Sequence, residues 1–311
     1  NHINIEQALI ELDLILDKTD RYNSFIRILS FGLSTASAAG VFKGGYKEII
    51  IAFIIGITIG ILFEVPKWIP SFSRVLILVA SAIAIIISEL AFSVIGSYDM
   101  NIALVTGLII VIPGFSFTIS ITELANGHSI SGTSRMVNAF ISFAMIAFGI
   151  VIGSQIYPTI NNEITEVSLS FAPFWIQYVS LILVPLGFVI LFKALPKHYI
   201  WMLFACLVSF FSMNMFTNIT SNEVSIFLSS LTLGVVCNVT SKLNNKPTAL
   251  MMVPGIILLV PGAIGFSSVS SFLNTETLNG IENVFSMIVS AVALALGLII
   301  ANMLTKYKQG I

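Results

Sequence analysis

Long apolar runs separated by short polar breaks dominate the chain, and ten of them are long enough to cross a bilayer as helices. They fall near 22–42, 47–64, 74–95, 100–122, 133–155, 172–192, 198–216, 222–241, 247–272 and 281–305. Two runs carry a helix breaker deep inside. Pro113-Gly114 interrupts the fourth, and Pro261-Gly262 interrupts the ninth. Proline removes a backbone donor and clashes with the preceding turn, and lipid offers no water to satisfy the freed groups. A broken helix at membrane depth therefore faces a cavity, which is the sequence pointer to a transporter's binding site. Ahead of the first run, Ile5, Leu9, Leu12 and Leu16 recur at helical spacing among acids. That pattern predicts an amphipathic helix over 3–17, within a leader segment 1–20.

Composition makes the membrane assignment firm. Of the 311 residues, 57% are hydrophobic and only 9% are charged, with a mean hydropathy of +1.00. Soluble domains carry about a quarter charged residues. The expected fold class is an all-α integral membrane protein. The net charge of -1 and the lack of a basic patch give no reason to expect a nucleic-acid partner. Cys206 and Cys237 lie within apolar runs and read as packing residues. No cleavable signal peptide is visible, and the opening Asn1 suggests numbering that starts inside a longer product.

Charge placement orients the spans. With ten of them, twelve of the fourteen Lys and Arg residues share one side with both termini, and only Lys43 and Lys47 lie opposite. The positive-inside rule then puts both termini in the cytoplasm, in a multi-pass protein of the cytoplasmic membrane. A shift of 148 residues superposes Pro113-Gly114 on Pro261-Gly262 and Gly149 on Gly297. Each half holds five spans, an odd number, so the second half enters the membrane the other way up. The expectation is two inverted-topology repeats, 21–157 and 158–311, as in many alternating-access transporters.

The segment from Pro113 to Arg135 is the richest in chemistry. Ser116, Thr118, Ser120 and Thr122 alternate with apolar residues, followed by Glu123, and Ser131 and Arg135 open the next span. Hydroxyls beside a Pro-Gly break can satisfy freed backbone groups or contact a small polar solute. Glu123 and Arg135 can grip the two charges of a zwitterion, or simply close a helical hairpin. At helical rise Glu123 lies roughly 13 Å past the break, towards the cytoplasm. Glu89 sits inside the third span, where an acid needs a cavity or a partner. Glu123 and Glu89 are the candidates for proton coupling. Pro113, Gly114, Ser116, Thr118, Ser120, Ser131, Arg135, Pro261 and Gly262 are the candidates for substrate contact. Asp99 is expected to start a helix and Glu64 to end one. The pairs Gly56/Gly60 and Gly149/Gly153 predict close helix packing. No phosphate-cradling loop and no His/Cys cluster is present, so ATP coupling, a cofactor, a metal and a catalytic set are not expected.

Ile112-Pro-Gly followed by Thr122-Glu-Leu-Ala-Asn-Gly-His-Ser-Ile-Ser-Gly-Thr-Ser-Arg resembles the first-half signature of the threonine/serine exporter family. Val253-Pro-Gly-Ile-Ile-Leu-Leu-Val-Pro-Gly, with Asn279-Gly280 after it, resembles the second-half signature. The likeness runs over residues 5–305 and matches the fused form of a two-half exporter. It implies proton-motive-force-driven export of threonine and serine, while split relatives are associated with succinate. The family's acidic position falls on Glu123, where Asp is commoner, and Ser131-Gly132 and Arg135 match. The leading expectation is a proton-driven exporter of small hydroxy-amino acids, with the amino acid, protons and the bilayer as partners. A dicarboxylate exporter, a passive channel and a non-transporting membrane subunit remain the alternatives, and a homo-oligomer stays open.

Overall fold

The computed structural model describes residues 21–156, 172–244, 247–259, 266 and 277–305, and among these it contains helices and no strands. The first half comprises α1 (Ser24–Val41), α2 (Tyr46–Leu62), α3 (Leu76–Ile95), α4 (Met100–Gly107), α5 (Gly114–Ala125) and α6 (Ser129–Ile156). The second comprises α7 (Phe174–Leu191), α8 (Tyr199–Thr217), α9 (Asn222–Asn244), α10 (Thr248–Leu259) and α11 (Thr277–Leu304). Eight of these are long and apolar enough to cross a membrane: α1, α2, α3, α6, α7, α8, α9 and α11. The chain is thus an all-α integral membrane protein. The fourth expected span is realised as α4 and α5, separated at the Pro-Gly break. The ninth begins as α10, and Pro261-Gly262 lies outside the described residues, as does the predicted helix over 3–17.

Local chemistry sets the helix ends. The Asp99 carboxylate accepts the Ile102 N–H at 3.1 Å and caps α4, as its position suggests. Two short 3-10 turns, Val65–Lys67 and Pro70–Arg74, carry prolines at their starts and turn the chain between α2 and α3. Lys47 Nζ donates to the carbonyls of Ile95 and Ser97, both at 3.0 Å, at the end of α3. A cation at a helix C-terminus meets the negative end of its dipole.

Most of the basic residues gather at one end of the bundle, near the starts of α1, α3 and α6 and the end of α7. We call this the basic end and its opposite the far end. α1 and α7 pack antiparallel. The Tyr22 hydroxyl donates to the Ala194 carbonyl at one end, and the Gln177 side-chain amide donates to the Val41 carbonyl at the other. Between them a Cβ on Gly40 would overlap the Ser180 hydroxyl, and a Cβ on Gly187 would overlap the Ser34 hydroxyl. Each helix thus sets a glycine against a serine of the other, which brings the two backbones close.

The halves share further details. Gly149 of α6 presses on Ser81 and the Leu78 carbonyl of α3, and Gly297 of α11 presses on Ser230 and the Phe227 carbonyl of α9. Gly153 continues the first contact against the Ala82 carbonyl, and Gly56 and Gly60 bring α2 onto the backbone of α1. Both α1 and α7 end on a phenylalanine followed by a lysine in the left-handed region, Phe42-Lys43 and Phe192-Lys193, with φ of 62° and 51° at the lysines. In each, the lysine N–H reaches back to Gly40 or Ile190, and the next N–H reaches Ala39 or Val189. The same C-terminal motif therefore stops the first helix of both halves.

The cores interlock. Phe266 and Met287 from the second half are buried in the cluster built around Ile51, Leu108 and Ile146 of the first. In return Phe115, just past the break, packs on the second-half cluster around Leu233, Met251 and Leu294.

Candidate functional site

Between Gly107 and Gly114 the helix is lost for six residues. Val111 and Ile112 N–H groups turn back onto the Leu108 carbonyl at 2.8 and 2.9 Å, and Phe117 N–H reaches the Pro113 carbonyl at 2.9 Å. No side chain caps α5, whose N-cap is Pro113. The first N–H groups of a helix have no acceptor within it, and they carry the positive end of its dipole.

This break lines a cavity of about 640 Å³. Ile109 to Ser116 form its deep wall, joined by Ser142 of α6 and Ile257 of α10. Aromatic rings from Phe31, Phe63, Phe188 and Phe192 make its sides. At the basic end Arg27, Glu64 and Lys67 form its charged rim. One Arg27 amino group lies 2.6 Å from Glu64 Oε1 and 2.7 Å from Oε2, and Lys67 Nζ lies 2.6 Å from Oε2. The Ser24 hydroxyl adds a hydrogen bond to the same carboxylate at 2.9 Å. Among the described residues this rim holds two cations and one acid. The volume suits a small solute, and apolar walls with a few fixed polar groups are the usual make-up of such a site.

Of the residues singled out in sequence, Pro113, Gly114 and Ser116 line this cavity, with Ser116 exposed to it. Pro261 and Gly262 lie outside the described residues, and the remaining candidates do not line it. Thr118 and Ser120 are buried, and their hydroxyls bond back to the carbonyls of Gly114 and Phe117 at 3.1 and 2.6 Å. That is backbone satisfaction within α5. Ser131 is exposed, 3.4 Å from the His128 carbonyl. Arg135 Nε donates to Glu123 Oε1 at 2.9 Å, which ties the ends of the α5–α6 hairpin together. The second Glu123 oxygen is buried and has no protein partner among the described residues.

Glu89 is buried on α3, near the far end. A neighbouring acid, Glu48 at the start of α2, is just as buried and accepts the Asp99 N–H at 2.7 Å on one oxygen. The Tyr98 hydroxyl donates to the Ser88 carbonyl at 2.7 Å. Burial pushes the Tyr98 phenol up to about 12, and the charges of Glu48 and Glu89 add to that. Neither acid lines the large cavity.

The charged rim was the part that sequence reading missed. Glu64 was read as a helix-end residue and Arg27 as one more cytoplasmic charge. The signal available was the position of Arg27, several residues inside an apolar run, where a cation needs a partner.

A polytopic helical membrane protein with a broken helix opening into a polar-rimmed cavity has features found in membrane transporters. Residues 1–157 match a family model described as "Putative threonine/serine exporter", and residues 177–304 match one described as "Threonine/Serine exporter, ThrE". The chain belongs to the threonine/serine exporter family in its fused form. An uncharacterized protein of Schizosaccharomyces pombe is 28% identical over 82% of this chain and 32% of its own length. Pheromone-regulated membrane protein 10 of Debaryomyces hansenii is 25% identical over 85% of the chain and 27% of its own length. The protein of that name in Candida albicans (strain WO-1) is 26% identical over 88% and 26% respectively. The chain thus spans between a quarter and a third of the length of these relatives. No solved structure matches it.

Proposed function

We propose that the chain is a secondary exporter of small hydroxy-amino acids, threonine and serine, driven by protons across the cytoplasmic membrane. The observation that carries this reading is the α5 N-terminus at Gly114–Ser116, opening into a cavity whose rim holds both signs of charge. The substrate carboxylate takes the backbone N–H groups at the break, where the dipole favours an anion. The Ser116 and Ser142 hydroxyls face the substrate hydroxyl, and the ion cluster of Arg27, Glu64 and Lys67 stands at the entrance. The basic end is cytoplasmic, so the cavity opens towards the cytoplasm. Protons move with Glu123, partly buried, and Glu89, buried.

The antiparallel α1–α7 contact, the shared Phe-Lys helix ends and the matched glycine-on-serine contacts support two inverted five-helix halves, 21–157 and 158–311. Alternating access in such folds comes from rocking one repeat against the other.

The test is reconstitution into liposomes with labelled serine, threonine or succinate, with and without a pH gradient. Saturable, gradient-driven movement of serine and threonine is the expected result. Movement of succinate in their place would instead make the cargo a dicarboxylate. Flux indifferent to the gradient and without saturation would make the protein a channel.

A further inference from the structure

A second cavity, of about 290 Å³, lies at the far end of the bundle. Its walls are the counterparts of those around the first. The large cavity takes its sides from α1, the end of α2, the stretch before the first break and the end of α7. The small one takes them from the start of α7, the second half of α8, the end of α10 and the end of α1. Phe192, at the stop of α7, lines the first, and Phe42-Lys43, at the matching stop of α1, lines the second.

The two cavities meet back to back. Phe42 lines both. Ile257 lines the large cavity, and the next two residues, Leu258 and Leu259, line the small one. Among the described residues the partition comprises the Phe42 ring and the last turn of α10. At the depth of that partition sits Ser209, 0% exposed, whose hydroxyl oxygen has no protein hydrogen-bond partner among the described residues. A buried hydroxyl without a partner is costly unless something polar visits it. Further out lie Asn214 and Lys43, both exposed.

We propose that the small cavity is the outlet half of the solute path, with Phe42 as the partition between inlet and outlet. Ser209 receives the hydroxyl or carboxylate of a zwitterionic amino acid that has passed Phe42, and Asn214 and Lys43 escort the carboxylate out. The pseudo-symmetry supplies the other state: when the halves rock, the small cavity widens and the large one narrows. This rests on the exporter reading above and adds to it the exit, its residues and its gate.

Single cysteines test it. The native Cys206 and Cys237 are buried, so the unsubstituted chain gives the background for an impermeant methanethiosulfonate. Ser209→Cys and Asn214→Cys are labelled from the outside of intact cells, and Ser142→Cys from the cytoplasmic face in inverted vesicles. Saturating serine or threonine slows labelling at Ser209→Cys several-fold. Adding Phe42→Ala opens Ser209→Cys to reagent from both faces. If Ser209→Cys resists the reagent from both faces while flux stays intact, the outlet assignment alone falls. If labelling follows the expected pattern but neither amino acid moves or protects, the exporter reading falls and takes the outlet with it. Asn214→Cys, at the exposed mouth, carries the same test should Ser209→Cys fail to fold.

Discussion

Gly40 of α1 and Ser180 of α7 approach so closely that no side chain fits between them, and Ser34 and Gly187 repeat the contact with the roles exchanged. The halves are joined here by small residues at close backbone distance, the packing that stabilises helix pairs in lipid. Gly40→Ala must force α1 and α7 apart or displace Ser180. It is expected to destabilise the protein by about 1–3 kcal/mol, the usual range for overpacking. Adding Ser180→Gly restores the space. A thermal-unfolding cycle in detergent reads the two single variants against the double one.

Glu64 accepts from two cations with little exposure of its own, 18% for its side chain against 12% for Arg27. Glu64→Gln removes the carboxylate that Arg27 and Lys67 share, and is expected to cost about 1.5–3 kcal/mol, the range for hydrogen bonds to a charged group. Lys67, 45% exposed, is worth far less, so Lys67→Gln is expected to cost about 0.5 kcal/mol. The melting temperatures of the two variants separate these cases. Equal losses would show that the rim is held together by the whole cluster rather than by Arg27.

Pro113→Ala lets α4 and α5 join into a continuous helix, which draws the free N–H groups at the break into internal bonds. A hydrogen bond to a charged group contributes about 1.5–3 kcal/mol. Substrate affinity should therefore fall by roughly ten- to a hundredfold. Equilibrium binding in detergent measures this without any need for transport. Unchanged affinity would move the carboxylate site away from the break.

Glu123 has one oxygen on Arg135 and one buried without a protein partner among the described residues. Glu123→Gln removes the proposed proton carrier but keeps a hydrogen-bond acceptor for Arg135. Efflux should persist down a substrate gradient and lose its response to an imposed pH gradient. An unaltered pH response would return Glu123 to the role of closing the α5–α6 hairpin.

The spans were legible because bilayer thickness imposes a length on apolar runs, and Asp99 was legible because a cap needs an acceptor at one position. Pro113-Gly114 stood out because a helix breaker in lipid needs a reason. The hydroxyls downstream were ambiguous in sequence, since alternating Ser and Thr serve backbone and solute equally well. The structure gives Thr118 and Ser120 to the backbone and only Ser116 to the cavity. Arg27, Glu64 and Lys67 could not be grouped in advance. Glu64 and Lys67 are three residues apart on one turn, but Arg27 lies on α1, and only the fold of α1 against the end of α2 brings it to them. The matching ends at Phe42-Lys43 and Phe192-Lys193 were present in the text of the sequence, but two-residue echoes gain meaning only when the backbone at both is left-handed.

Phe266 closes the core of the first half and Phe115 reaches into that of the second. This exchange bears on biogenesis. The first half leaves the insertion machinery before Phe266 and Met287, both buried in its core, have been made. Its helices can be threaded into the bilayer one by one, but their final packing waits until synthesis has passed residue 287. Maturation of the two halves is thus a single late event, and a ribosome stalled between them leaves behind an inserted but unfinished half for the membrane's quality-control proteases.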